Sequence, residues 1–568
     1  MATSLNDSKG FLGTERLTKG PWQAFERAIA RLLAHMGWEL NEVVGGSGDN
    51  GADIIAAREN EEGKVVECVF QAKFSENNRP ISVDIMGDLK RAMDYYGIEN
   101  GVAVSNRVLS EAQKLKWQNL EKNGYIIDTF LSKDIYEEFK RIDTWPNENR
   151  ALKQYQAEAL KALQQTYIRG GKNALICLAT GLGKTFVAAS FLRWALDQNP
   201  SINVLILANT KALIDQFDRA IWSNLPKWAA THLVYDSEKP SFSEGVTLST
   251  FQSFQDYYKT IQGFKYDIII VDEAHHAPAE TYKSILNSLN AKFLIGLTAT
   301  PFRADGKDIS DIFGDPLVYY SVYKALQKGY LAKVEYHLLS DNIDHTWLSY
   351  NSKRGHTIKQ LNKKLFLPER DSKICDMIFQ TWQNRRPGKC IIFCNSSEHA
   401  ERIEKILRAN FDLPVWSLTN RIKDNREKAK RLRDFRTGKC KILTCYDMLN
   451  EGVDVPDVDY IVFLRVTHSR VYFLQQLGRG LRYKDGKTLL VQDFVADLRR
   501  VKRVSSFQSE FEEVRKTEVE NLFFDDSFNL IFDSEETRNF LELVTKDVSE
   551  EMDEDDILYL EVGATNDL

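Results

Sequence analysis

No apolar run in the 568 residues approaches the ~20 needed to span a bilayer, and Met1 to Gly20 are polar with no apolar signal core. These absences argue against a membrane-spanning or secreted chain and predict a cytoplasmic one. Cysteine is scarce: seven residues fit a reducing compartment better than a disulfide scaffold. Cys390 with Cys394 and Cys440 with Cys445 are spaced like zinc pairs. Each pair, however, lies in an apolar strand-like run, where buried thiols act as small hydrophobes. Internal repeats are absent as well. What is abundant is core-forming sequence, with 43% hydrophobic residues over a length that accommodates three or four domains.

The net charge of −6 is unevenly distributed. Residues 505–568 hold about 20 acidic and about 4 basic side chains, so the remainder carries a positive excess of about ten. A pI near 6.0 therefore does not exclude a polyanionic partner.

Helix and strand signals alternate along most of the chain and predict an α/β protein. Residues 1–20 read as a flexible arm and 21–140 as a first α/β unit. Residues 141–150, with Trp145, Pro146 and Asn147, read as a linker. Residues 151–335 form a second α/β unit, 336–368 a polar connector and 369–503 a third α/β unit. Residues 504–568 are an acidic C-terminal extension. Its apolar islands (Leu522 to Phe524, Phe528 to Phe532, Ile557 to Leu560) predict partial order through docking.

The second unit contains a glycine loop, Ala179 to Thr185, between the apolar run Ala174 to Leu178 and a helical pattern from Phe186. A strand–loop–helix of this kind, with Thr180, Gly181, Leu182 and Gly183 before Lys184, cradles nucleotide phosphates in backbone N–H groups. Further on, Asp267 to Val271 runs into Asp272, Glu273, Ala274 and His275. Two carboxylates thus stand at the C-terminal end of a buried parallel strand, where such sheets bind ligands. Together these elements predict hydrolysis of a nucleoside triphosphate with Mg²⁺; the resemblance carried by the motifs that follow makes it ATP. Lys184 would reach the β- and γ-phosphates, Thr185 and Asp272 would hold the metal, and Glu273 would position or activate the attacking water.

The series that follows resembles the DEAH-type helicases and translocases of superfamily 2, in particular restriction-enzyme motor subunits, over residues 150–495. The resemblance implies two RecA-like motor domains. Leu152 to Gln156 matches the segment whose Gln, here Gln156, contacts adenine, with Lys153 for the usual Arg and Gln154 for the usual Pro. Val204 to Phe217 and Thr250 to Ser253 match strand-tracking segments, and Leu297 to Pro301 the Thr-Ala-Thr element that couples ATP to nucleic acid. Cys390 to Cys394 matches the first strand of the second motor domain. Thr444 and Cys445, with Glu451 to Pro456 and its Asp454, match the element that touches both nucleotide and nucleic acid.

Gln475 to Arg482 matches the arginine-finger element. Inserted guanidiniums stabilise the charge developed in phosphoryl transfer, worth ~10³–10⁵ in rate in other NTPases. Arg479 and Arg482 are three apart, a spacing that predicts one helical face. Their placement in a different domain from Lys184 makes hydrolysis depend on closure of a cleft. The resemblance implies DNA as partner, double-stranded with single-strand tracking, gripped by its phosphates and therefore bound in a salt-sensitive way. The basic runs Arg421 to Arg436 and Arg499 to Arg503 could add contacts but each reads as a solvated helix face.

In the first unit, Phe25 to Leu33 reads as an amphipathic helix. The glycine-rich turn Gly45 to Asp53 follows, then a strand from Ile54 to Ala57 and a second strand from Val65 to Phe74. Alternation puts Val66, Cys68, Phe70, Ala72 and Phe74 on one face, and Glu67, Val69, Gln71 and Lys73 on the other. The hairpin brings Asp53 towards Gln71 and Lys73. An acid, a carbonyl oxygen and a lysine converging at a strand edge suit Mg²⁺-dependent phosphodiester hydrolysis. Asp49 reads as a turn residue, and Asp49, Gly51 and Asp53 lack the remaining positions of a calcium loop.

This spacing resembles the Mrr-like branch of the PD-(D/E)xK nucleases over residues 21–130, a branch with Gln in place of a second acid. Val104 to Arg107 followed by Ser110 to Ala112 fits its later strand–loop–helix. The resemblance implies a restriction-endonuclease-like fold with Asp53, Gln71 and Lys73 catalytic and Glu26 a further metal-site candidate. The combined expectation is an ATP-driven DNA translocase or helicase with an endonuclease, acting against foreign DNA such as phage. Neither a methyltransferase signature nor a target-recognition domain is present, so a partner protein supplies specificity or the enzyme senses DNA ends, structure or modification. A repair helicase-nuclease, a non-cutting remodeller and an RNA substrate remain as alternatives.

Overall fold

The computed structural model describes residues 10–13, 21–43, 52–60, 63–77, 79–146, 150–235, 244–260, 265–276, 280–289, 291–299, 309–339, 355–357, 371–410, 414–446, 448–449, 458–464, 470–494, 528–532 and 557–559. Among them no helix is long and apolar enough to cross a membrane.

The N-terminal sheet has the order β1 (Glu39–Val43), β2 (Ile54–Glu59), β3 (Val65–Lys73), β4 (Asn100–Ser105) and β5 (Ile126–Leu131). The first three strands are antiparallel. β3, β4 and β5 run parallel because helices Ile85–Tyr96 and Glu111–Lys122 provide the crossovers. β3 is covered on both sides. Cys68, Phe70 and Ala72 join the cluster that includes Phe25 and Ile29 of helix Trp22–His35, while Val69 packs with Ile85, Met86 and Leu89. The face read from sequence as the less apolar one thus lies under helix Ile85–Tyr96, and Gln71 ends fully buried.

The second sheet comprises β6 (Asn173–Leu178), β7 (Val204–Ala208), β8 (Thr231–Val234), β9 (Val246–Thr250), β10 (Ile268–Val271), β11 (Phe293–Thr298) and β12 (Pro316–Tyr320). Its order is β12-β6-β11-β10-β7-β9-β8, all parallel. Strands such as β6, β7 and β10 are apolar along nearly their whole length, as expected for strands buried on both faces. β11 lies between β6 and β10. The glycine loop after β6, Thr298 ending β11 and the carboxylates after β10 therefore meet at one edge.

The third sheet is built from β13 (Lys333–Leu339) and, after the short β14 (Gly355–Thr357), from β15 (Cys390–Phe393), β16 (Val415–Leu418), β17 (Ile442–Cys445), β18 (Tyr460–Phe463), β19 (Thr488–Phe494) and β20 (Phe528–Phe532). The parallel order is β16-β17-β15-β18-β19-β13-β20, and β14 pairs with β21 (Ile557–Tyr559). One expectation changes here. β13 was divided between the second unit and the connector. It instead pairs along its whole length with β19, from Lys333 opposite Thr488 to Leu339 opposite Phe494, because Val334, Tyr336 and Leu338 alternate into the buried side. The C-terminal extension supplies β20 beside β13 and β21 beside β14, so two of its apolar islands form strands. Leu522 to Phe524, Asp49, Glu451 to Pro456 with Asp454, and Arg499 to Arg503 lie outside the described residues. All seven cysteines are buried free thiols, and Cys390, Cys394, Cys440 and Cys445 pack as apolar core groups.

Candidate active sites

The glycine loop turns on two left-handed residues, Gly181 (φ +89°) and Gly183 (φ +80°), and helix Lys184–Gln198 starts directly after. A Cβ on Gly183 would approach Gln156 Nε2 to 2.7 Å. Gln156 Nε2 donates to Leu182 O at 2.8 Å, and its Oε1 accepts from Lys153 N at 3.0 Å. Gln156 therefore braces the loop and caps its own helix, Gln154–Ile168. Thr180 and Thr185 flank the loop's glycines and lysine.

Asp272 is buried at the end of β10, and its Oδ1 accepts from Glu273 N at 3.0 Å. Glu273 has φ +47°, a strained conformation for a non-glycine residue and one concentrated at functional sites. Its Oε1 is 3.4 Å from Lys184 Nζ and its Oε2 is 3.4 Å from His275 Nδ1. His275 Nδ1 in turn hydrogen-bonds Thr298 Oγ1 at 3.2 Å. A polar chain thus links the glycine loop to the carboxylates and on to the Thr-Ala-Thr element. Burial pushes the Glu273 carboxyl up, but Lys184 and His275 outweigh it and hold the group well below the usual range, at about 2. Sequence reasoning assigned His275 no role. The signal was its place two residues after Glu273, but its meaning depends on Thr298 from a neighbouring strand.

The third sheet closes over this edge. Ala332 N donates to Leu481 O at 2.9 Å, and Leu331 bridges to Arg482. A Cβ built on Gly181 would lie 3.8 Å from both Arg482 N and Gly478 O, so the arginine element abuts the glycine loop. Lys153 Nζ stands 5.1 Å above the Tyr483 ring, a further contact across the cleft. The expected helical face for Arg479 and Arg482 is not formed. Helix Arg470–Leu477 stops before them; Arg479 sits in the turn that follows, and Arg482 lies in the isolated bridge to Leu331. The reason is Gly478 and Gly480, which flank Arg479 and break the helix; a Cβ on Gly480 would collide with Leu489. Arg479 Nη2 donates to Leu449 O at 3.2 Å, while the Arg482 side chain is exposed.

On the N-terminal sheet, Asp53 and Gln71 come together as expected. Asp53 Oδ2 accepts from Gln71 Nε2 and from Ala72 N, both at 2.6 Å. Gln71 Oε1 is buried with no hydrogen-bond donor. An orphaned amide oxygen beside a carboxylate is a donor set that a hard cation such as Mg²⁺ fits. Among the described residues no three His, Cys, Asp or Glu converge, so the oxygens here are one carboxylate and one amide. Lys73 Nζ pairs with Asp88 Oδ2 at 3.0 Å, a partner on helix Ile85–Tyr96 that sequence reasoning did not identify. Glu26 is buried on helix Trp22–His35.

The basic run Arg421 to Arg436 is not a simple solvated face. Arg421 pairs with Glu398, Arg431 with Glu427 and Ser417 O, and Arg433 is buried against Glu67 of β3. Near the other end of the same N-terminal unit, the Arg31 guanidinium is buried. It donates to Ala229 O (2.8 Å), Pro226 O (3.0 Å) and Leu225 O (3.2 Å) of the second unit.

Three stretches match known families: residues 17–121 a restriction endonuclease family (Mrr catalytic type), 149–303 the res subunit of type III restriction enzymes, and 369–484 the helicase conserved C-terminal domain. The chain is 29% identical over 407 residues to the DNA 3'-5' translocase XPB2 of Sulfurisphaera tokodaii, covering 64% of this chain and 87% of that protein. It is 26% identical over 363 residues to the type I restriction enzyme EcoAI endonuclease subunit of Escherichia coli, covering 58% of this chain and 44% of that protein. The solved structure of the ATP-dependent type ISP restriction-modification enzyme LlaBIII bound to DNA shares the fold, with a TM-score of 0.52 and 16% identity over 91% of this chain and 41% of that one. The chain thus spans less than half the length of these two restriction enzymes. Fold and matches define a superfamily 2 helicase-type motor. In this chain the motor is joined to an Mrr-type restriction endonuclease domain, which makes the whole a restriction-enzyme-like helicase–nuclease.

Proposed function

We propose that this chain is an ATP-dependent DNA translocase that drives a Mg²⁺-dependent endonuclease against foreign DNA. One observation carries the reading: a single chain holds the Lys184–Glu273 pair at a braced phosphate loop and, between the start of β2 and β3, the buried Asp53–Gln71 pair with an amide oxygen to spare. The domain division that serves this function is a nuclease over 21–140 and motor domains over 151–335 and 369–503, with β13 reassigned to the second motor domain.

In the motor, Lys184 exchanges Glu273 for the β- and γ-phosphates of ATP. Glu273, already ionised, is then free to orient the attacking water while His275 keeps its other oxygen in place. Thr185 and Asp272 hold Mg²⁺. Gln156 fixes the loop beneath the nucleotide, and Arg479 and Arg482 reach the phosphates from the opposite side of the cleft. In the nuclease, Asp53 and Gln71 supply oxygens to Mg²⁺, which when bound adds Lewis acidity toward the scissile phosphate and its water. Lys73, held by Asp88, stabilises charge on that phosphate, and Glu26 supports the site from the neighbouring helix. DNA is the substrate, and a partner protein supplies target choice.

The test is cleavage of unmodified plasmid and phage DNA with Mg²⁺, with and without ATP, by wild type, Asp53→Ala and Lys184→Ala. ATP-dependent cutting lost in both variants supports the reading. ATP hydrolysis on DNA with no cutting, even with a cell extract as source of partners, overturns the nuclease half.

A further inference from the structure

We propose that Arg433, carried by the second motor domain, is a positioning residue of the nuclease, so that the state of the motor cleft is transmitted to Gln71 and Lys73. The inference rests on the motor–nuclease reading above and adds a route between the two sites.

The nuclease is attached to the two motor domains in different ways. Towards the first, Phe25 and Ile29 share an apolar cluster with Phe217 and Trp222, a cluster that also reaches Phe435 of the second motor domain, and the buried Arg31 adds three hydrogen bonds to Leu225, Pro226 and Ala229. Close-packed apolar contacts of this kind move as a body. Among the described residues, the nuclease's side-chain contacts with the second include a polar set on helix Asn425–Thr437. Arg433, 1% exposed, places Nη2 2.9 Å from both carboxylate oxygens of Glu67. Its guanidinium lies 5.7 Å from the Tyr96 ring, Lys430 lies 4.6 Å from the Tyr95 ring, and Tyr95 OH donates to Glu427 at 3.3 Å.

Both receiving elements lead to the nuclease site. Glu67 is on β3 and shares a face with Gln71 and Lys73, four and six residues along. Tyr95 and Tyr96 end the helix whose Asp88 holds Lys73. A nuclease fixed to one motor domain and latched by polar side chains to the other feels any opening or closing of the cleft at that latch. The strand and the helix carry the displacement as rigid elements, which is the physical requirement for coupling.

The experiment measures hydrogen exchange of the full chain over 65–73 and 85–96, with and without a non-hydrolysable ATP analogue on DNA, alongside ATPase on the same samples. The comparison is wild type, Glu67→Gln and Glu67→Lys; Glu67 is chosen because it is partly exposed and its replacement spares the motor core. The expected result is a nucleotide-dependent change of at least about threefold in wild type, reduced in Glu67→Gln and absent in Glu67→Lys, with ATPase within about twofold of wild type. A merely structural role would alter protection equally in both nucleotide states. Wild type that hydrolyses ATP without any exchange change, or a change that survives Glu67→Lys, overturns the coupling alone. Wild type without ATPase overturns the motor reading and the coupling with it.

Discussion

Lys184 Nζ lies 3.4 Å from Glu273 Oε1, so the cation of the phosphate loop and the carboxylate facing it neutralise each other before nucleotide arrives. Lys184→Ala should therefore do two things. ATPase should fall by at least about 10²-fold, because a group aimed at developing charge is gone. The Glu273 carboxyl should also rise from about 2, since burial would then be opposed by His275 alone. A carboxyl held below its ordinary 4.5 stabilises the fold above that pH, and the benefit is lost as pH falls toward 2. The stability gap between wild type and variant should thus be widest at neutral pH and narrow in acid. Urea unfolding across the acid range checks this, and a gap independent of pH rejects the pairing.

His275 stands between Glu273 Oε2 and Thr298 Oγ1, at 3.4 and 3.2 Å. It is the side chain through which Thr298 is linked to the Glu273 carboxylate. His275→Ala should lower DNA-stimulated kcat by about tenfold or more while changing KM for ATP less than about threefold, because the contacts it loses are with Glu273 and Thr298. Thr298→Val should reproduce the loss of DNA stimulation. Steady-state kinetics with and without DNA decide; stimulation intact in both variants would disconnect His275 from the coupling.

The parts legible in the sequence were those whose chemistry is local. The phosphate loop announced itself because Gly181 and Gly183 take backbone angles that other residues resist. Asp53 and Gln71 met because one hairpin joins their strands. What stayed hidden depended on distant partners. Arg31 read as one more polar residue of an amphipathic helix, yet its acceptors are carbonyls nearly two hundred residues away. His275 needed β11 to lie beside β10, and Lys73 needed Asp88 from the following helix. The arginine element was read as helical from a three-residue spacing that Gly478 and Gly480 interrupt. β13 was divided between two units because strand membership in a parallel sheet is set by non-local pairing, which a polar context conceals, whereas β20 falls on an apolar island expected to order by docking.

The orphaned Gln71 Oε1 predicts how the nuclease site responds to charge. Gln71→Glu replaces the amide that donates to Asp53 at 2.6 Å with a second buried acid. Two adjacent buried carboxylates repel, so the variant should lose about 1–3 kcal/mol of stability in chelator. Mg²⁺ should return much of that loss by satisfying both groups. Thermal unfolding with and without Mg²⁺ is the measurement, and the Mg²⁺-induced rise in Tm should be larger in Gln71→Glu than in wild type. Equal shifts would mean that the ion does not bind between these oxygens.

Arg31 offers the sharpest test of how the nuclease is mounted on the motor. Burial pulls its guanidinium down to about 9, with Asp218 partly offsetting the effect, and three carbonyls of the first motor domain accept its hydrogen bonds. Phe11 lies under it at 4.2 Å. Arg31→Ala removes all of these partners at once and leaves the carbonyls of Leu225, Pro226 and Ala229 short of a donor. Removing the charged donor of such buried hydrogen bonds and leaving carbonyls unsatisfied costs about 1–3 kcal/mol. Arg31→Lys should recover little of this, since an ammonium lacks the planar fork that spans three acceptors. The nuclease and first motor domain share one apolar cluster, so wild type should unfold them together, whereas Arg31→Ala should separate them into two transitions and make the segment 141–146 more susceptible to protease. Calorimetry and limited proteolysis read both effects against Arg91→Ala, an exposed control expected within about 0.5 kcal/mol of wild type. If Arg31→Ala unfolds like that control, the apolar cluster alone holds the two domains together and the buried guanidinium is incidental to their union.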